Sequence, residues 1–450
     1  MGRLRVKILI AIAMLTVMCS TISVPWPALG QVQTNNAITD VDGILVGHST
    51  NAAGSVGTTV VYAPDTAIGA FDVRGGWPIT VETDLMDPKN LVQKVNAIVI
   101  SGGGQFGLEP RTGVMRCLEE RQEGFSVGVT AAEVVPIVPG AAINDVGRIG
   151  DTAKPTADDG YQACMTAADG PVTQGNVGAG TGAVAGGIKG GFGTASSNLG
   201  NGVWVGAAVA VGSYGRPWVP GSCVLHFARY AALGAEYGTY QPPSASECAA
   251  ADGKLPVEVG NSVAVVATNF ALSKAQAEKM AGIGQDGLAR AITPSHTSLD
   301  GDPVFALSTG TLEVVGDCQA NAPSLAPTVC AIVLNSIFAM AADTLSRAVN
   351  HAILEAQTVG AVKSYCDTFP SSCGQASAQA KDAALVGGVS GRSSVPDGAP
   401  GSVERSLVLT LMLLIGSAVL YKLAIRSRSS KADLRESPQV AVSHYGRGMK

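Results

Sequence analysis

The clearest apolar run in the chain is VAVVAT, residues 263–268, which has no polar face and reads as a strand covered on both sides. Just upstream lies YQPPSASECAAADGKLP, residues 240–256, rich in Pro, Ala and Ser and without a period. Asn261 and Ser262 stand at the joint between the two. A second apolar stretch, GVWVGAAVAVGSYG at 202–215, predicts a buried strand small on both faces, and its residues 203–211 are expected to help cover 263–268. NAITDVDGILVGHST and TTVVYA predict two short strands in a hairpin-like unit, and NLVQKVNAIVISGG a strand ending in glycines. GVMRCLEERQEG has helical spacing, with Met115 and Leu118 inward. Ser273 and Gln276 form a capping-box pattern opening a helix, and residues 335–356 predict a second long one. The mixture of strands, helices and antiparallel turns predicts a layered α/β sandwich.

The two ends carry a different pattern. MGRLRVK followed by ILIAIAMLTVMC has the charged and apolar regions of a signal peptide, with a cleavage site after ALG at 28–30. Residues 406–425 are apolar and about long enough to span a bilayer, with Arg426, Arg428 and Lys431 behind them and Arg405 alone in front. That asymmetry predicts residues 426–450 as a cytoplasmic tail. The expected organisation is a signal peptide (1–30), one domain (31–365), a flexible linker (366–405), the membrane helix and the tail. The protein is expected to be exported and membrane-anchored, with its domain outside the cytoplasm.

Composition narrows the chemistry. A net charge of −5 and 5% aromatic residues argue against nucleic-acid binding, which needs a basic face. Eight of nine cysteines follow the signal, and disulfides suit an oxidising compartment. Cys366–Cys373 is the favoured local pair, with Cys223–Cys248 and Cys318–Cys330 also open. Neither CxxC nor HExxH occurs and the five histidines are scattered, so no metal site is expected. No cofactor is expected either. The Gly-rich patches at 101–108 and 175–196 lack Walker spacing and read as structural turns. GxSxG is absent; GNSVA at 260–264 departs from it by one residue.

A nucleophilic serine needs a base, and no histidine stands in an obvious partner motif. Scission of the bond before Ser262 would supply one, because a free α-amine titrates near neutrality beside its own hydroxyl. Here the blocks ITDVDGILVGH, FDVRGGWPITVETDLMDPKNLV, AIVISGGGQFGLEPRTGVMRCLEER, GNVGAGTGA, GGFGTAS, VVATNFALSKAQ and ITPSHTSLDGDPVFALSTG matter. In order over residues 36–358, they resemble the L-aminopeptidase/D-Ala-esterase family, which includes β-peptidyl aminopeptidases and the nylon-oligomer endo-hydrolase.

The resemblance implies a four-layer αββα sandwich like that of the N-terminal-nucleophile hydrolases. It implies self-cleavage between Asn261 and Ser262 into an α chain, 31–261, and a β chain, with Ser262 as nucleophile. Asp300 and Asp302 match an acidic pair that orients the nucleophile, and Lys189 a lysine near it. The implied substrates are small peptides, amino-acid amides or amide oligomers, and the implied assembly is a homo-oligomer of processed units. Three positions depart from the pattern. Counted back from Thr268, the nucleophile position falls on Asn261; Gly212 replaces an Asn that polarises the carbonyl oxygen; Asn144 replaces an aromatic residue. A catalytically silent, membrane-tethered binding or scaffold protein is therefore the competing expectation. Convergence of Lys189, Asp300 and Asp302 on Ser262 separates the two. His296 and His226 read as structural.

Overall fold

The computed structural model describes residues 34–373 except 131, 228–235, 252, 257–258 and 313–326, all within one compact unit. The predicted signal peptide, the predicted membrane helix at 406–425 and Cys318 lie outside the described residues.

A nine-stranded mixed sheet organises the molecule. Its strands are β1 (Leu45–Thr50), β2 (Gly57–Gly75), β3 (Thr80–Val81), β4 (Lys94–Ser101), β5 (Gly140–Ala142), β6 (Phe192–Gly200), β7 (Val203–Val211), β8 (Ser262–Thr268) and β9 (Gly301–Ser308). The order is β6-β7-β8-β9-β2-β4-β5-β3, with β1 also paired to β2. The longer helices are α1 (Pro110–Glu120), α2 (Ala157–Met165), α3 (Ala245–Ala251), α4 (Lys274–Ala291) and α5 (Pro327–Leu354).

The two-residue alternation of strand side chains divides the core into layers. Val263, Val265 and Ala267 of β8 join Phe305 and Leu307 of β9 and Ile98 and Ile100 of β4 in one cluster. Ala264, Val266, Val304 and Ala306 face the other way, onto Met280 and Leu288 of α4 and Leu345 and Val349 of α5. Val60, Tyr62, Ala97 and Val99 back onto Val114 and Leu118 of α1 and Cys164 of α2. Two halves of the sheet thus face each other between two helical layers. The 19-residue strand β2 joins them: residues 58–62 and 67–68 pair with β4, and Ile68–Gly75 with β9. The ladder is irregular between Tyr62 and Ala67, where β2 passes from one half to the other. This is the αββα architecture.

Local signals hold where one segment decides the outcome. Ser273 caps α4, accepting from the Gln276 N–H, with the reciprocal Gln276 bond in place. Four expectations need correction. Met115 is only partly buried beside Leu118, because Val114 and Cys117 take the inner stripe of α1. The second strand of the hairpin-like unit runs on to Gly75 rather than ending near Ala63. β7 is the antiparallel neighbour of β8, not its cover; the covers are the helices and the facing half-sheet. Residues 366–373, read as linker from composition, belong to the core: Phe369 is fully buried against Trp218 and Tyr365.

Three disulfides are seen among the described residues: Cys117–Cys164, Cys223–Cys248 and Cys366–Cys373. The first, which joins α1 to α2, has no local signature because its partners are 47 residues apart. Among the described residues one stretch, Cys330–Leu354, is long and apolar enough to cross a membrane. Half of it is buried, and Ile337, Leu345, Val349 and Ile353 sit in the main core, so it serves as a core helix.

Candidate active site

Ser262 pairs with Val211 at the first rung of the β7·β8 ladder. By the alternation of β8 its side chain falls on the face shared with Ala264, toward the helices, while Asn261 belongs to the face between the half-sheets. The hydrogen bonds agree. Asn261 Nδ2 donates to Ala142 O at 2.8 Å and to Gly301 O at 3.2 Å, and its Oδ1 accepts the Asn144 N–H at 2.8 Å. The Ser262 N–H donates to Asp302 Oδ1 at 2.8 Å, and its Oγ donates to Gly212 O at 2.9 Å. Both residues are buried, at 2% and 1% exposure, so every one of these groups needs its partner.

The acidic pair divides its work. Asp302 holds Ser262 with one oxygen and meets His296 Nδ1 at 2.9 Å with the other. Burial pushes its carboxyl up, helped by the nearby Asp300 charge and opposed by the bonds from His296 and Ser262. Asp300 does not bond to Ser262. Its Oδ1 accepts the Tyr214 N–H at 2.9 Å, and its Oδ2 accepts Thr297 N–H and Oγ1 at 3.1 and 2.6 Å. It therefore ties the end of β7 to the turn before β9. Gly301 between them is required by crowding, since a Cβ there would lie 2.1 Å from the Trp77 main chain. His296, read as structural, is part of the Asp302–Ser262 chain. Its signal was its position six residues before Asp302 in one turn-rich segment.

Lys189, expected near Ser262, makes its own hydrogen bonds to main-chain carbonyls elsewhere. It lies at the end of a small hairpin, Val184–Ala185 with Ile188–Lys189, and is fully buried. Its Nζ donates to Gly180 O at 2.9 Å and Gly190 O at 2.7 Å. Burial lowers its pKa to about 7, while the charge of Asp145 acts in the opposite direction. Asp145, which the sequence reading did not single out, accepts the Gly103 N–H at 2.6 Å. Burial raises its pKa to about 6. Asp145 thus adjoins Asn144, which bonds Asn261, while Asp302 holds the Ser262 nitrogen.

The three departing positions all border the joint. A Cβ on Gly212 would lie 3.1 Å from Asn261 O, so a side chain there would meet the carbonyl preceding Ser262. Glycine leaves that oxygen without a side-chain donor from this position. Asn144 touches Asn261 through its backbone N–H. Asn261 occupies the inter-sheet face with its amide fully bonded. Among the described residues no group of three or more His, Cys, Asp and Glu side chains gathers as a metal site.

This arrangement has recognisable relatives. The family model described as Peptidase family S58 matches residues 36–366. The chain is 42% identical over 366 residues to an uncharacterized aminopeptidase of Mycobacterium leprae, covering 75% of this chain and 96% of that one. It is 29% identical over 284 residues to the 6-aminohexanoate-oligomer endohydrolase of an Agromyces species, covering 61% and 75%. Among solved structures, the L-aminopeptidase D-Ala-esterase/amidase of Ochrobactrum anthropi, described as a variant of the Ntn-hydrolase fold, superposes with a TM-score of 0.53 at 22% identity, covering 74% and 90%. A Burkholderia beta-aminopeptidase gives 0.53 at 20%, covering 76% and 95%. These two establish the likeness of fold. The chain belongs to peptidase family S58, with the L-aminopeptidase/D-Ala-esterases and the aminohexanoate-oligomer hydrolases, and its family chemistry is hydrolysis of amide bonds.

Proposed function

We propose that the chain is a self-processing aminopeptidase or amidase for small peptides, amino-acid amides or amide oligomers, with Ser262 as its nucleophile. One observation carries this reading: the nitrogen that would become the free α-amine already sits on Asp302, itself bonded to His296. In the uncut chain Ser262 Oγ attacks the Asn261 carbonyl carbon, the Asn261–Ser262 amide bond breaks, and the nitrogen takes up the hydroxyl proton. Water then cleaves the resulting ester, leaving an Asn261 carboxylate and a free Ser262 amine. The amine next takes the Oγ proton as Ser262 attacks a substrate amide, and returns it to the departing amine. Water hydrolyses the acyl-enzyme. Asp302 orients the amine, while Asp300 fixes the neighbouring end of β7 through Tyr214. The Oγ–Gly212 O bond must be exchanged before attack.

A second reading is favoured by a specific observation. Asn261 holds the position the nucleophile count gives, its amide is fully satisfied by Ala142, Asn144 and Gly301, and Gly212 offers no donor to its carbonyl. On that reading the chain is a silent, membrane-tethered relative that binds or scaffolds. A denaturing gel of the purified chain with amino-terminal sequencing decides between them. Two fragments, the second beginning at Ser262, support the hydrolase; a single uncut band that releases no amine from amino-acid amides supports the silent relative.

The proposal includes export, anchoring by residues 406–425 and assembly of several copies. The charge pattern of the ends supports the first two, the disulfides suit an oxidising compartment, and family likeness supports the third. Protease protection in intact cells tests the orientation.

A further inference from the structure

We propose that Asp145 is a positioning residue: its carboxylate, seated among glycines from two separate loops, governs the charge on Lys189 beside the Asn261–Ser262 joint. The proposal deepens the hydrolase reading and rests on it for the importance of the joint.

The cradle is built from both Gly-rich patches. A Cβ on Gly102 or on Gly182 would lie 2.4 Å from Asp145 Oδ2, so neither position tolerates a side chain while the carboxylate is there. Gly103 donates its N–H to the other oxygen, Oδ1, and has a φ of +95°, a conformation that favours glycine. Oδ2 accepts no hydrogen bond from the described residues. Lys189 reaches the same turn, since its Nζ bonds Gly180 O, two residues from Gly182.

The pair is coupled to the joint at two points. Asn144, next to Asp145, donates its N–H to Asn261. The Lys189 hairpin is bonded to the end of β7 through Ser213 N to Val184 O, and Val211 of that strand pairs with Ser262. Burying an ammonium and a carboxylate is costly unless they compensate each other. Two neutral carbonyls on Lys189 and one N–H on Asp145 satisfy them only in part. The remaining compensation is their mutual field. Arg148, whose Nη2 donates to Val259 O, is the other charge that faces Asp145; Asp145 is the charge that faces Lys189. With Lys189 at about 7, a small change in that field converts ammonium to amine.

The test follows the ε-carbon resonances of 13C-lysine in the full-length chain across pH, with Lys189 assigned by its loss in Lys189→Met. In the unaltered chain Lys189 is expected to titrate apart from the surface lysines, near neutrality. Asp145→Asn should lower its midpoint by about one unit or more, and Asp145→Glu should largely restore it. An unchanged midpoint in Asp145→Asn would overturn the proposal. So would a Lys189 that titrates with the surface lysines in the unaltered chain, a measurement that stands even where the variant does not fold. Gels of the same preparations report self-cleavage separately, so a chain that never cuts itself sinks the hydrolase reading and leaves this one decided by titration.

Discussion

Asn261 and Ser262 are consecutive, yet the strand period sends them into opposite environments. On the Asn261 side, one amide closes three bonds to Ala142, Asn144 and Gly301, within a region held by glycine turns, Lys189 and Asp145. On the Ser262 side, a chain runs from His296 through Asp302 to the Ser262 nitrogen, and the hydroxyl has only a carbonyl to bond. The first side resists change because each bond lost strands a buried group. On the second side a single bond, Oγ to Gly212 O, holds the hydroxyl, and the hydrolase reading requires its exchange. A nucleophile belongs on an adaptable side and a frame on a rigid one, so position in the strand alone does not decide which residue acts.

The largest effect should come from Ser262→Ala. It removes the attacking oxygen and leaves the ladder and the N–H to Asp302 intact. If the hydrolase reading holds, gels should show one uncut band instead of two fragments. Persistent fragments with the same end would assign cleavage to an outside protease. Next, Asp302→Asn keeps the shape but weakens the hold on the amine and on His296; cleavage and amide hydrolysis should slow by about 100-fold or more. A rate within a factor of about three of the parent would move the catalytic centre to the Asn261 side.

The Lys189–Asp145 side should show itself in stability against pH. Lys189 falls from 10.5 to about 7 on folding, so the unfolded chain binds the extra proton between those values. Its stabilising contribution is present above 10.5 and is lost as pH falls through 7. Asp145 rises from 3.8 to about 6, so its contribution is present below 3.8 and lost as pH rises through 6. Denaturant titrations should show stability climbing from pH 7 toward 10 by on the order of 3 kcal/mol from Lys189. Lys189→Met should flatten that climb. A slope unaltered by the substitution would show that the lysine is not held in a shielded place.

How much of this was legible in sequence depends on the range of the interaction. The core strand at 263–268, the Ser273 cap and α5 were readable because each is specified by a few adjacent residues. The extension of β2 to Gly75 was not, because residues 68–75 become strand by pairing with β9, more than 200 positions away. The joint itself was found from the contrast between the periodless stretch 240–256 and an apolar strand, although that stretch, expected to be loop, holds α3 and is pinned by the Cys223–Cys248 disulfide. Asp302 bonds the Ser262 nitrogen, whereas the bonds of Lys189 and Asp300 run to other groups. Their contacts lie at Gly180, Gly190, Tyr214 and Thr297, and residue type at 189 or 300 gives no hint of them. Asp145 escaped notice because its signature is the set of glycines it excludes side chains from, spread over two patches that look like ordinary turns.

The smallest effect should be that of Asn144→Ala, and it tests what the frame on the Asn261 side is made of. Asn144 stands where an aromatic residue would be expected, which invites the reading that its side chain lines the site. The structure gives the work to its backbone, whose N–H meets Asn261 Oδ1 at 2.8 Å. Alanine retains that N–H. Substitution should therefore change stability by no more than about 0.5 kcal/mol, because that bond is kept. Asn261→Ala should instead cost about 2–4 kcal/mol, because it strands the Asn144 N–H and two buried carbonyls. Urea unfolding of the two variants at one pH measures the difference. Should Asn144→Ala cost as much as Asn261→Ala, the side chain is part of the frame. The Asn261 side would then be held by side-chain packing, and its rigidity would no longer follow from satisfied backbone groups.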